Sequence, residues 1–410
     1  MMRLQSTGCH RNKMYKLILK PGREKSVKNR HPWLFSGAVK TVEGGPSDGD
    51  IVDVFSSSLD FLGRGCFNKK TSIAVRLLTF NDELIDAGFW TRRLQQALEY
   101  RQTIIDTIST TACRLVNGEG DYLPGLVVDR YGDYLVIQIS TLGMEKQKGF
   151  LLDGLHALLS PRGIYERSDV VSRKVEGLKL STGLIYGEVP NVVEVMENGL
   201  RFLVDIKHGQ KTGFFLDQRD NRAFTGKLAY RLNRNSKILN CFCYTGGFSI
   251  YAASYSAVET VNVDISGEAL SLAEKNFELN ALNTSRHKLV EDDVFEYLKG
   301  AEKAGKVFDM VILDPPAFTK NAATVPKAAR GYKEINMKAM MLLSPGGFLI
   351  TCSCSHHIDR MLFQKIIHDA ALDAGRELQI IDIRGPALDH PLNAAHPEGE
   401  YLKVFVCRVV

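Results

Sequence analysis

No run of about 18 apolar residues occurs in the 410-residue chain, so no helical membrane span is expected. The basic N-terminus is not followed by an apolar core, so no secretory signal is expected either. No pair of Cys-x-x-Cys units exists. The eight cysteines lie scattered at 9, 66, 113, 241, 243, 352, 354 and 407. That spacing argues against a metal site and against a disulfide framework, and points to reduced thiols in a cytoplasm. There is no internal repeat, no low-complexity segment and no G-x-G-x-x-G string, so the dinucleotide fingerprint is missing. What remains is the composition of a soluble globular protein, 44% hydrophobic and 24% charged, in a chain too long for one core.

Charge is unevenly placed. Residues 1–40 hold ten Lys/Arg and one acid, Glu24, for a net +9 against +5 overall; the rest of the chain is therefore net acidic. A basic end on an acidic body suits a polyanion. Arg23, Lys25, Lys28 and Arg30 are interleaved with His31, Trp33 and Phe35, which adds stacking to charge.

Residues 1–13 are polar and patternless and read as unstructured. Short β segments follow at Lys16–Leu19, 37–42, Ile51–Phe55, 62–66 and 73–78, separated by Gly-rich turns, which predicts a small barrel. Residues 85–108 carry helical spacing, with Thr91 as the cap candidate. A hairpin over 113–140, a helix near 147–159 and strands near 163–166 and 201–205 complete an α+β module. From Arg201 onward strands and helices alternate, the pattern of a doubly wound sheet. Seven strands are predicted, near 237–242, 260–264, 287–290, 308–313, 347–352, 378–383 and 401–407.

The chemistry gathers at the carboxyl ends of these strands, where such sheets bind ligands. Tyr244-Thr245-Gly246-Gly247 follows the first, a turn whose glycines let backbone amides approach a ligand. Asp264 ends the second and suits ribose hydroxyls; Asp293 follows the third and suits an adenine amino group. Asp314-Pro315-Pro316-Ala317-Phe318 ends the fourth: a carboxylate, two prolines that stiffen the exit, and a flat ring beside a planar base. The fifth delivers Cys352 and Cys354. A thiolate adding to C6 of cytosine would make C5 enamine-like and able to attack a methyl donor. With a strand period of two, both cysteines share a face, so spacing leaves the choice between them open.

Two resemblances join these readings. Leu19–Ser26 with Arg30–Ala38 resembles a PUA domain, a small RNA-binding barrel. The stretches 204–222, 240–248, 330–336 and 397–403, with the Asp-Pro-Pro-x-Phe loop, resemble bacterial 23S rRNA (cytosine-5) methyltransferases of the RlmI type over residues 15–410. This implies a PUA-like barrel (1–82), a central α+β module (83–200) and a Rossmann-like S-adenosylmethionine (SAM) methyltransferase domain (201–410). It implies SAM as cofactor, held by Phe214, Asp217, Gln218 and Arg219 closing over it, with Asp264 on ribose, Asp293 on adenine and Asp314 in the base pocket. It implies Cys354 as nucleophile, because Ser353-Cys354-Ser355 matches the family pattern. Pro315, Pro316, Phe318, Arg23, Lys25, Arg30 and Trp33 would meet RNA, as 23S rRNA or a large-subunit assembly intermediate. Proline at 315 and 316 stands where many RNA cytosine-5 enzymes carry a second cysteine, so the group that removes the C5 proton is unassigned. Methylation of a purine nitrogen without a thiol, and a non-catalytic RNA-binding assembly protein, are the alternatives. The oligomeric state stays open, a homodimer included.

Overall fold

A computed structural model describes residues 15–233, 235–319 and 321–410. The polar stretch 1–13 lies outside the described residues.

The N-terminal unit is a six-stranded sheet in the order Trp33–Phe35, Ile73–Thr79, Phe61–Phe67, Ile51–Phe55, Lys16–Leu19, Val39–Glu43. Alternation drives it: Leu17 and Leu19 are buried while Lys16 faces out, and Val52, Val54, Val75 and Leu77 join them in one core. Trp33–Phe35 went unpredicted, because three residues are too few to show a period.

The helix of the central unit runs Ala87–Ile104 and buries Phe89, Trp90, Leu94 and Ala97. It corrects the cap: Asp86, not Thr91, accepts from the Phe89 amide at 2.8 Å. Thr91 sits one turn inside and donates back to the Ala87 carbonyl at 3.0 Å. The stronger N-cap residue lay upstream of a glycine that masked the helix start. Beneath the helix a five-stranded sheet runs in sequence order, Ala112–Asn117, Leu126–Tyr131, Tyr134–Ile139, Gly163–Ser168, Ser181–Gly187. A hairpin, Val192–Glu197 with Leu200–Asp205, follows. Its Val193, Val195, Phe202 and Val204 share a core with Phe214, Leu216, Ile250 and Tyr251.

The third unit holds seven strands: β1 (Lys237–Cys241), β2 (Glu259–Asp264), β3 (His287–Glu291), β4 (Phe308–Leu313), β5 (Leu343–Ser353), β6 (Leu378–Arg384) and β7 (Lys403–Val409). Their order is 3-2-1-4-5-7-6, with β7 antiparallel to both neighbours. Central strands are buried on both faces, which is why they read as apolar runs: Leu239, Val311 and Leu313 enter one core, Ile238, Met310 and Ile312 the other. The order reverses at β1, between β2 and β4, and the crevice at that switch point is the expected ligand site.

Residues 385–402, between β6 and β7, touch all three units. The Leu388 carbonyl accepts from Tyr100 Oη at 2.9 Å, the Asp389 carbonyl from Arg101 Nη2 at 2.8 Å and the Pro391 carbonyl from Asn117 Nδ2 at 3.0 Å. His396 packs edge-on to Trp33 with ring centroids 4.3 Å apart, and Tyr401 Oη donates to Asp217 at 2.7 Å. Among the described residues no helix is long and apolar enough to cross a membrane, and seven cysteines are free thiols.

Candidate active site

The turn after β1 is forced into left-handed backbone at Phe242 (φ 58°), Tyr244 (φ 49°) and Gly246 (φ 80°). Only the last is a glycine, so two side chains bear strain that the surroundings must hold. Asp264 does part of this, accepting from the Tyr244 amide at 2.8 Å and the Ser266 amide at 3.0 Å. The helix Gly247–Tyr255 then starts against Arg222. A Cβ on Gly247 would lie 2.8 Å from Arg222 Cδ. Arg222 cannot yield easily, because it is buried in a two-pronged pair with Glu197 at 2.8 and 2.6 Å. Gly247→Ala is therefore expected to destabilise the fold by about 1–3 kcal/mol, read as a lower urea midpoint. A midpoint equal to the native one would contradict this close approach.

The tips of β1, β2 and β4 enclose a cavity of about 660 Å³. Phe214, Asp217 and Gln218 line one wall; Tyr244, Thr245, Gly247 and Asp264 line the floor; Asp293, Asp314, Pro315, Pro316 and Phe318 complete it, with Cys354 at the β5 side. Three of the predicted catalytic and cofactor residues stay outside. Gly246 shapes the turn instead. Arg219 is buried in an ion pair with Asp389, at 2.9 and 2.8 Å. Cys352 is 0% exposed within the sheet core. Lys211, Phe215, Phe242, Phe295 and Leu402 line the cavity without individual roles having been assigned; Lys211 and Phe215 lay inside the stretch 204–222, Phe242 inside 240–248 and Leu402 inside 397–403, while Phe295 stood in none of them.

Several features fit SAM. Asp217 Oδ1 and Thr245 Oγ1 are buried without hydrogen-bond partners among the described residues, although both side chains line the cavity. Such orphan polar atoms call for a polar ligand, and the ammonium and carboxylate of an amino acid answer them. Asp293 caps the helix Val294–Lys303 through Oδ1, accepting from the Phe295 amide at 2.8 Å. The rings of Phe242 and Phe295 stand 6.4 and 6.0 Å from that of Phe318, an aromatic wall suited to a purine.

The carboxyls are set apart by their surroundings. Burial, and then the nearby Asp217, push Asp314 up to about 6, although Gln218 Nε2 donates to it at 2.9 Å. Burial works against Asp217 too, but Lys211 at 2.8 Å, His390 and the Tyr401 hydroxyl hold it well below the usual carboxylate range. Burial raises the Cys354 thiol to about 11; Lys211 and Lys403 oppose the rise, while Asp314 and Asp217 add to it. Burial takes Cys352 well above its ordinary value.

At the front, Arg23, Lys25 and Arg30 are exposed, and the Arg30 guanidinium lies 4.9 Å from the Phe80 ring centre. Trp33 is half-buried, and its indole N–H donates to Glu119 at 2.8 Å, so this ring packs between units.

The sheet order, the strand-tip cavity and its orphan polar atoms define a SAM-dependent methyltransferase. The family described as S-adenosylmethionine-dependent methyltransferase matches residues 177–375, and a PUA-like domain matches 17–80. The chain is 48% identical to ribosomal RNA large subunit methyltransferase I of Aeromonas hydrophila, covering 96% of this chain and 98% of that protein. The counterpart from Escherichia coli O139:H28 is 45% identical, over 96% and 99%. A solved structure from Streptococcus mutans, a SAM-dependent methyltransferase by assignment, superimposes with a TM-score of 0.81 at 26% identity, over 96% of this chain and all of that one. Another, SMU.776 in complex with SAH, gives 0.83 at 25% identity, again over 96% and 100%. The chain belongs to the ribosomal RNA large subunit methyltransferase I family.

Proposed function

We propose that this enzyme methylates C5 of a cytosine in 23S rRNA, as free RNA or in a large-subunit assembly intermediate in the cytoplasm, through a covalent Cys354 adduct. The observation that carries the reading is the thiol of Cys354 lining the same cavity as a carboxyl poised near neutrality, Asp314. When bound, SAM supplies an electrophilic methyl group on a sulfonium. Cys354 Sγ, as thiolate, forms a bond to C6, and the C5–C6 π electrons become an enamine. Asp314 delivers a proton to N3 as that bond forms, so no full anion builds up on the ring. The nucleophilic C5 takes the methyl group. Loss of the C5 proton then restores the C5–C6 double bond, the Sγ–C6 bond breaks, the thiolate returns, and the N3 proton goes back to the Asp314 carboxylate. Pro315 and Pro316 offer no thiol for that proton, so it leaves to a group other than a β4 cysteine. Arg23, Lys25 and Arg30 supply exposed cations for phosphate on the PUA-like unit.

Incubation with 23S rRNA and methyl-tritiated SAM, followed by digestion to nucleosides, is expected to place the label in 5-methylcytidine. Label confined to a methylated purine would sink the reading and favour chemistry at a ring nitrogen. No transfer at all, together with no SAM binding by calorimetry, would leave an RNA-binding assembly protein.

A further inference from the structure

Gln218 is 2% exposed, and both ends of its side-chain amide are taken by protein groups. Nε2 donates to Asp314 Oδ1 at 2.9 Å, and Oε1 accepts from Asn221 Nδ2 at 2.7 Å. Asn221, on the helix Arg219–Ala229 and equally buried, is fixed in its turn. Its Oδ1 accepts from Arg384 Nε at 3.0 Å, and its Nδ2 also donates to the Gly385 carbonyl at 3.0 Å. A guanidinium can only donate and a carbonyl can only accept, so Asn221 has one orientation. Gln218 must then turn its oxygen to Asn221 and its amino group to Asp314. Arg384, the last residue of β6, is itself anchored by Asp382 at 2.9 Å and by the Phe224 ring, whose centre lies 4.6 Å from the guanidinium carbon. The direction of the whole chain of bonds, from Arg384 through Asn221 and Gln218 to Asp314, is therefore set at the end of β6.

We propose that Gln218 is a positioning residue that confines the reacting proton of Asp314 to Oδ2, the oxygen left free for N3 of the base. The inference rests on the covalent reading above. A proton on Oδ1 would compete with the Gln218 N–H for that oxygen, so the acid carries its proton on the other. Oδ2 has no partner among the described residues and, unlike Asp217 Oδ1, is not sealed off. When the base is bound, the Oδ2–H bond breaks and the N3–H bond forms. The electron pair stays on the carboxylate, and the Gln218 N–H meets the new charge at Oδ1. The same contact persists when the proton returns. With both polar ends engaged inside the chain, Gln218 serves the cavity wall by holding the acid, not the cofactor. The titratable and charged groups facing Asp314 are Asp217 and Lys211 ahead of the helix, Arg222 on it, and the thiols of Cys352 in β5 and Cys354 at its tip.

The test is the pH profile of methyl transfer to 23S rRNA by Gln218→Met in the full chain, with SAM affinity measured alongside by calorimetry. Methionine keeps the length of the side chain but has no N–H. Removing a donor to the charged form raises a carboxyl's pKa, so the bend where Asp314 titrates is expected to move up by about one pH unit. At about pH 5 the carboxyl is largely protonated in both enzymes, so a fall in rate of roughly tenfold there reports a misplaced proton and not a missing one. SAM affinity is expected to be unchanged. Gln218→Glu keeps the shape but turns an oxygen to Asp314; it is expected to lose at least as much rate and to move the bend the same way, and it stands in should the methionine variant not fold. A native bend in both variants overturns the proposal, because a purely structural loss scales the profile without moving it. So does a native rate at about pH 5, since the proton would then reach N3 without this help. A SAM affinity weakened as far as the rate overturns it too, making Gln218 a cofactor ligand. A fully active Cys354→Ala overturns the covalent reading and this inference with it. An inactive Cys354→Ala beside native profiles for both Gln218 variants overturns the role of Gln218 alone.

Discussion

Cys354→Ala is expected to lose methyl transfer by at least roughly 10³-fold while binding SAM with native affinity. The sulfur lines the cavity from the β5 side, and its hydrogen bond is to the Pro315 carbonyl at 3.8 Å, so truncating it leaves the orphan atoms of Asp217 and Thr245 that suit the cofactor in place. Cys352→Ala, two residues earlier, is expected to cost about 1 kcal/mol of stability and leave turnover within a few-fold of native, since its thiol fills sheet core. Filter-bound tritium gives the rates and calorimetry the SAM affinity. RNA with 5-fluorocytosine at the target offers a second reading. Fluorine at C5 cannot leave as a proton does, so the native enzyme should stay attached through denaturing electrophoresis and Cys354→Ala should not. Loss of activity in Cys352→Ala with full activity in Cys354→Ala would reverse the assignment.

Asp314→Asn is expected to lower kcat by about 10²–10⁴-fold and to change the shape of the pH profile. On the covalent reading the native rate is expected to follow the product of a protonated Asp314, pushed up to about 6, and a Cys354 thiolate, its thiol pushed up to about 11. Below about pH 6 the carboxyl stays protonated, so the logarithm of the rate rises by one per pH unit as thiolate forms. Between these values the gain in thiolate offsets the loss of protonated carboxyl, and the profile is flat. Asparagine removes the second titration, so its profile should keep rising with unit slope through pH 8. A native profile that also rises with unit slope through pH 8 would remove Asp314 as the proton donor.

The strand tips were legible because each carries its residue on a buried run: the observed β1–β7 match the seven predicted strands within a few residues, save that β5 begins earlier, at Leu343. The cysteine choice was not. Residues 352 and 354 do share a face, since Cys354 packs beside the core that contains Cys352. What separates them is where β5 ends, at Ser353, which leaves one thiol inside the sheet and the next at its tip. Trp33 beside cations read as a stacking surface for RNA. Its partner Glu119 lies 86 residues away, and no local pattern reports so distant a bond. The strand Ser181–Gly187 was missed because exposed positions alternate with half-buried ones and Gly183 interrupts it, and Val192–Glu197 because residue type does not follow burial there: Val192 is exposed and Glu197 is buried.

The segment 385–402 gives the three units a common fate. Tyr100, Arg101 and Asn117 of the central unit grip its backbone, and His396 rests on Trp33 of the front sheet. Its far end sets Tyr401 on Asp217 and leads into the strand that buries Lys403. A loop held by three bodies cannot loosen from one without releasing the others. Opening the front sheet would free the ring that steadies His396, and slack there would travel to the wall of the cavity. One end of that segment therefore rests on the front sheet and the other on a carboxylate that lines the cavity.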